Sequence, residues 1–129
     1  MLRSISVIIL MSTFLISGCS TLADAQAAKG QGTTKVYEKD FDTVWQSTKE
    51  VVISSKLDLV SANKTEGKIL AQRSMTAFSY GENVAIFVEP IQRNTKTRVE
   101  IVNKKTVAAN LTAANWEVAL FRALDQKLK

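Results

Sequence analysis

The chain has 129 residues, 46% of them hydrophobic, and 17 Lys and Arg against 12 Asp and Glu give it a formal charge of +5. One cysteine and no histidine exclude an intramolecular disulfide, Ser-His-Asp and Cys-His catalysis and His-ligated zinc. The mild basicity is compatible with anionic headgroups or cell-wall polymers but names no partner, and nucleic acid is not expected among the partners.

Met1 to Ser4 carry the amino terminus and Arg3, and Ile5 to Ile16 form a nearly unbroken apolar run. About a dozen residues are too few for a bilayer-spanning helix, which needs roughly 20, but fit a secretory signal. The run closes on Ile16, Ser17, Gly18 and Cys19. This order of aliphatic, small, small, Cys resembles the lipobox of exported bacterial lipoproteins. The resemblance implies cleavage before Cys19, a diacylglyceryl group on its sulfur and anchoring by acyl chains such as palmitate. Two or three such chains hold a protein on a membrane far more firmly than one. With Ser20 rather than Asp after the cysteine, the resemblance further implies an outer-membrane lipoprotein with its domain in the periplasm.

Removing the signal, residues 1–18, leaves about 110 residues and a charge of +4, enough for one hydrophobic core. Residues 19–33 are mostly small and polar and show no apolar period. They are expected to be a flexible tether, spanning on the order of 20 Å by random-coil scaling. A single domain is expected over residues 34–129.

Thr34 to Glu38 read as a short strand. Phe41, Val44, Trp45, Thr48 and Val52 then place one stripe along a helix over about 41–55, with Asp40 or Asp42 to cap it; capping accounts for this carboxylate pair without acid–base chemistry. From Leu57 the period becomes two. Leu57, Leu59 and Ser61 alternate with Asp58 and Val60, and 63–67 is a turn that feeds a strand over Lys68 to Arg73. After a break containing Gly81, Val84, Ile86 and Val88 alternate with Ala85, Phe87 and Glu89. Pro90 marks a strand end or an edge, the chain reverses at Arg93 and Asn94, and Thr97, Val99 and Ile101 alternate with Arg98 and Glu100. A second helix is predicted over about 111–127, capped by Asn110 or Thr112, with Trp116, Leu120, Leu124 and Leu128 on its inner side. Lys127 and Lys129 near its end complement the helix dipole. The pattern predicts an α+β fold, an antiparallel meander of four to five strands with two helices in the order β-α-β-β-β-β-α.

The succession of lipobox, polar tether, "VYEKDFDTVWQSTKEVV", "TEGKILAQ", "VAIFVEP", "TKTRVEIV" and terminal amphipathic helix resembles small bacterial lipoproteins grouped as domain of unknown function 3568. The likeness is most specific at Tyr37, Phe41, Val44 and Trp45 and at Glu66 to Ile69. It implies a small α+β lipoprotein domain with no established activity and no catalytic residue to carry over.

No Gly-rich phosphate loop, metal-ligand cluster or catalytic constellation is evident; Asp58, Glu66 and several serines meet in no recognised motif. No cofactor is expected beyond the covalent lipid on Cys19. Two candidate surfaces remain. If both helices cover the face of Val84, Ile86, Val88, Val99 and Ile101, then Val60, Leu70, Phe87 and Val102 fall near the opposite face and could dock on another envelope protein; one helix on each face would make them core. Alternatively, Arg93, Lys96, Arg98, Lys104 and Lys105 could bind anionic headgroups or cell-wall polymer, or serve only as a solvated basic edge.

Overall fold

The computed structural model describes residues 20–74, 77, 81–106 and 114–129. Ile16, Ser17, Gly18 and Cys19 lie outside the described residues, as do Asn110 and Thr112. The elements follow the chain as α1 (Leu22–Ala27), β1 (Thr33–Tyr37), α2 (Phe41–Ser54), β2 (Asp58–Asn63), β3 (Lys68–Arg73), β4 (Glu82–Ile91), β5 (Lys96–Lys105) and α3 (Trp116–Lys127). The fold is α+β, with one open antiparallel sheet in the order β1-β5-β4-β3-β2. Strands β2 to β5 form the expected meander, and β1 adds to its far side by pairing Thr33 with Ile101 through Tyr37 with Thr97.

Alternation sorts the sheet residues into two faces. Ile69, Ala71, Val84, Ile86, Val88, Val99 and Ile101 point to one. There they are buried with Val44, Trp45, Val51 and Val52 of α2 and Trp116, Leu120, Phe121 and Leu124 of α3. Both long helices thus lie on one side. Helix α2 starts where Asp40 accepts from the Thr43 backbone N–H at 3.0 Å, the N-cap role expected of it. Neighbouring Asp42 instead pairs with Lys64 at 2.9 Å. Helix α3 begins later than its periodicity predicts: the cap is Asn115, whose side chain accepts from the Val118 N–H at 3.2 Å. Its outer residues tie it back to β1. Asp125 accepts from Lys35 at 2.5 Å and from the Tyr37 hydroxyl at 2.9 Å. Burial pushes the Tyr37 phenol up, which keeps it a donor, while the Lys35 ammonium holds the Asp125 carboxyl below its usual range.

Local chemistry fixes the connections. Gly67 adopts φ +62°, and a Cβ there would run into the Val88 carbonyl; the Val88 N–H donates to the Gly67 carbonyl at 2.7 Å, so this turn is locked onto β4. Pro90 pairs with Thr97 in the ladder although β4 is an inner strand. It is accommodated because the β3 pairing stops at Phe87, leaving the outer side of Pro90 free. The reversal between β4 and β5 has Gln92, Arg93 and Asn94 all at positive φ. Its Asn94 side chain accepts from the Phe41 N–H at 2.7 Å, so the hairpin tip grips the first turn of α2.

The flexible tether expected over 19–33 is corrected. Residues 22–27 are helical, and Ala25 and Ala28 are buried against Ala85, Phe87 and Val102, with Leu70 packed alongside. Helix α1 covers the second face of the sheet, so the described residues form three helices rather than the two expected. Thr21 and Asp24 close a reciprocal capping box at its start. Beyond its end, the N–H groups of Gly30 and Gly32 both donate to Oε1 of Glu100, at 2.5 and 3.0 Å. Gly32 passes so close to β5 that a Cβ there would collide with the Ile101 carbonyl.

Candidate functional site

The chain enters the domain directly behind Cys19. The Ser20 N–H donates to the Thr106 carbonyl at 3.1 Å, and the Ser20 carbonyl accepts from Asn83 Nδ2 at 2.9 Å. Both backbone groups of the residue next to the cysteine are therefore held at the end of the sheet where β4 starts and β5 finishes. From there α1 runs beneath the sheet towards Glu100.

The four residues assigned to a docking face do not form one. Phe87 is 8% exposed and Val102 is 2% exposed; both belong to the cluster under α1, against which Leu70 also packs. Val60 is 51% exposed. It lies at a bulge, where Leu59 pairs with Ala71 and Ser61 with Leu70, so it takes no part in that face. The physical reason is that the segment preceding β1 supplies the missing cover. What remains reachable of Phe87 lies beneath Lys29, whose Nζ is 5.3 Å from the ring centroid.

The five basic residues are likewise split. Arg98 is bound to Glu89 at 2.6 Å and Lys96 to Glu38 at 3.0 Å. Glu89 is held below the usual carboxylate range by Arg98, and Arg98 is raised in return. Arg93 sits on the hairpin tip. Lys104 and Lys105 are at the opposite end of β5, about 30 Å away for a ten-residue strand. A basic hairpin acting as one anion site is corrected to two separate ends, of which the tip end is largely neutralised.

The carboxyl groups considered for chemistry have structural partners. Asp40 caps α2, Glu66 pairs with Lys68 at 2.6 Å, and Asp58 accepts from Ser74 at 3.3 Å. Two glutamates that the pattern did not single out are more deeply buried. Glu100 holds the turn after α1, as above. Glu82 is fully buried, and among the described residues neither of its carboxyl oxygens is hydrogen-bonded; its ladder neighbours are Arg73 and Lys105. Among the described residues no group of three or more His, Cys, Asp or Glu could hold a metal ion.

The surface has shallow grooves. One of about 410 Å³ lies between β1 and α3, lined by Thr33, Lys35, Glu117, Val118, Phe121 and Asp125 among others. Thr33 and Glu117 are hydrogen-bonded across its floor, and Val118 is half exposed. A second, of about 370 Å³, lies where Lys29, Phe41, Lys64, Glu66, Phe87 and Glu89 meet. Glu82 lines neither. No helix of the described residues is long and apolar enough to cross a membrane.

No protein-family model matches the chain, and no curated protein matches it in sequence.

Proposed function

We propose that this chain is a membrane-anchored envelope lipoprotein, lipidated at Cys19, that acts without catalysis by docking on another envelope protein or assembly. The outer membrane, with the domain in the periplasm, is the location that Ser20 after Cys19 supports. The observation that carries the reading is the junction at Cys19: an aliphatic-small-small-Cys sequence ends one residue before a folded domain begins. A chain cut before Cys19 loses no residue of the described fold. The likeness to the domain of unknown function 3568 lipoproteins supports the same reading.

The non-catalytic part of the proposal draws on where the carboxyl groups are engaged. Asp24 and Asp40 cap helices, Asp125 holds α3 to β1 and Glu100 fastens the turn after α1, which are tasks of architecture. For docking, the β1 edge is the better-suited side of the sheet. Its groove pairs the exposed Val118 with Phe121 beside an open strand, and an open edge with an apolar neighbour accepts an extended segment of a partner. The β2 edge is protected by the bulge at Val60.

Mass spectrometry of the N-terminal peptide from membrane-extracted protein tests the anchor: a peptide starting at acylated Cys19 is expected, and one starting at Met1 or carrying a free thiol overturns it. Photoreactive residues at Val118 and at Phe87 in intact cells test the docking. Capture of a discrete envelope protein at Val118 but not at Phe87 is expected, and capture at neither removes the β1 groove as the contact.

A further inference from the structure

We infer that the domain is mounted against the lipid headgroups by the sheet end carrying Asn83, Lys104, Lys105 and Thr106, with the β4–β5 hairpin pointing its tip away from the membrane. The inference rests on lipidation of Cys19. Its geometric basis is the clamp on Ser20. Consecutive Cα atoms are 3.8 Å apart, and both the N–H and the C=O of Ser20 are bound to the sheet, by Thr106 and Asn83. An acyl-bearing sulfur on the preceding residue is therefore held within one side chain's reach of that end. A random coil of the same sequence would let the domain drift on the order of 20 Å from the bilayer and turn freely. The folded segment removes the drift and keeps one end of the sheet at the anchor, because residues 20–32 are fastened to the sheet at Asn83 and Thr106, under Phe87 and Val102, and at Glu100.

The charges agree with this orientation. Lys104 and Lys105 are consecutive at the end of β5 and Arg73 lies at the end of β3, so three cations share the anchored end with two carboxylates, Glu82 between Arg73 and Lys105 and Asp24 near Lys104. Among the described residues neither Lys105 nor Arg73 is in an ion pair, whereas at the distal end Lys64, Lys68, Lys96 and Arg98 are paired with Asp42, Glu66, Glu38 and Glu89. Cations left free beside a lipid anchor face phospholipid phosphates, and a lysine near an anionic surface adds attraction that fades within a Debye length. A basic patch beside an acyl anchor is a two-part membrane attachment. The partner of this end is thus a phospholipid surface, and the β1 groove stays open to the periplasmic side for a protein.

The test uses the full lipidated chain in phospholipid vesicles that contain a headgroup-linked fluorescence quencher. Single Lys105→Cys and Thr95→Cys variants are labelled with one fluorophore; an acylated Cys19 offers no competing thiol. The two positions are about 30 Å apart along the hairpin. The label at 105 should lose most of its emission and the label at 95 should keep most of its own. Inserting about ten Gly and Ser residues between Cys19 and Ser20, a spacer of roughly 15–20 Å, should remove most of the difference. Equal quenching at the two positions in a chain whose N-terminal peptide is acylated overturns the mounting and leaves the lipoprotein reading intact. A chain with a free Cys19 overturns both.

Discussion

The two faces of the sheet are covered by different means. On one, α2 and α3 lay Trp45, Val52, Trp116, Leu120 and Leu124 over Val84, Ile86, Val99 and Ile101, and large side chains buried in contact provide most of the stabilisation of the domain. On the other, α1 and its C-cap residue cover Ala85, Phe87 and Val102 with two alanines, Ala25 and Ala28. A helix this short is unstable alone, and a buried alanine methyl contributes only about 0.8 kcal/mol. Its position is set instead by polar fastenings: the Thr21–Asp24 box, the Ser20 clamp and the two N–H groups on Glu100. One face is held by packing and the other by hydrogen bonds around a thin apolar contact.

Substitutions on the two faces should separate these modes. Leu124→Ala, on the packed face, should destabilise the whole domain by about 2–5 kcal/mol in urea unfolding. On the thin face, Glu100→Ala should cost about 1–3 kcal/mol, because the Gly30 and Gly32 N–H groups lose their shared acceptor. Ala25→Glu should cost about 1–2 kcal/mol and no more, since α1 can let go while the α2–α3 core persists. Its distinguishing sign is increased binding of a hydrophobic dye, as Phe87 and Val102 become exposed. Thr21→Ala should cost about 1 kcal/mol or less by loss of the cap, seen as faster amide exchange confined to α1.

Acid should act on both faces. Thr21 holds Asp24, Thr43 holds Asp40, Lys127 holds Glu50, Arg98 holds Glu89 and Lys35 holds Asp125 below their ordinary values of 3.8 and 4.5. A carboxyl group lowered on folding stabilises the native state above its unfolded value, and that contribution is lost as pH falls through the folded value. Stability should therefore be flat in these terms between neutrality and about pH 5 and decline below about pH 4. A decline centred near pH 6 would contradict the assignment of these five groups.

The contrast between the faces also explains what the sequence disclosed. The packed face has periods of two and near four in large apolar residues, so β3, β4 and α2 are legible within a residue or two, while β5 runs four residues past the alternation that ends at Ile101; both long helices do lie on one side. The start of α3 is less legible, because Asn110, Thr112 and Asn115 offer the same cap chemistry within a few residues and the cap is Asn115. Helix α1 has a turn and a half, with Ala25 and the C-cap Ala28 in place of a large apolar stripe. Its composition is that of a linker, and its burial depends on residues some 60 to 75 positions later in the chain. The signal that could have revealed it is the Thr21-x-x-Asp24 spacing, a capping-box signature, together with the three-residue step from Ala25 to Ala28. With a tether-like composition before β1, alternation alone does not decide whether Leu70, Phe87 and Val102 form a docking face or core; α1 makes them core. Val60 could not be placed by alternation because the β2 bulge breaks the period. The basic residues of the β5 hairpin were countable, but their neutralisation by Glu38 and Glu89 depends on cross-strand and inter-element register.

The central claim is that the segment after Cys19 is part of the domain and covers the second face of the sheet. Residue-resolved NMR of the chain lacking residues 1–19 tests it most directly, through amide exchange and through contacts between the Ala25 methyl and the Phe87 ring. The account predicts protected amides at Ala25, Ala28, Gly30 and Gly32, each of which donates within the fold, and a direct Ala25–Phe87 contact. Random-coil shifts and unprotected amides throughout residues 20–32, with no contact to Phe87, would contradict it.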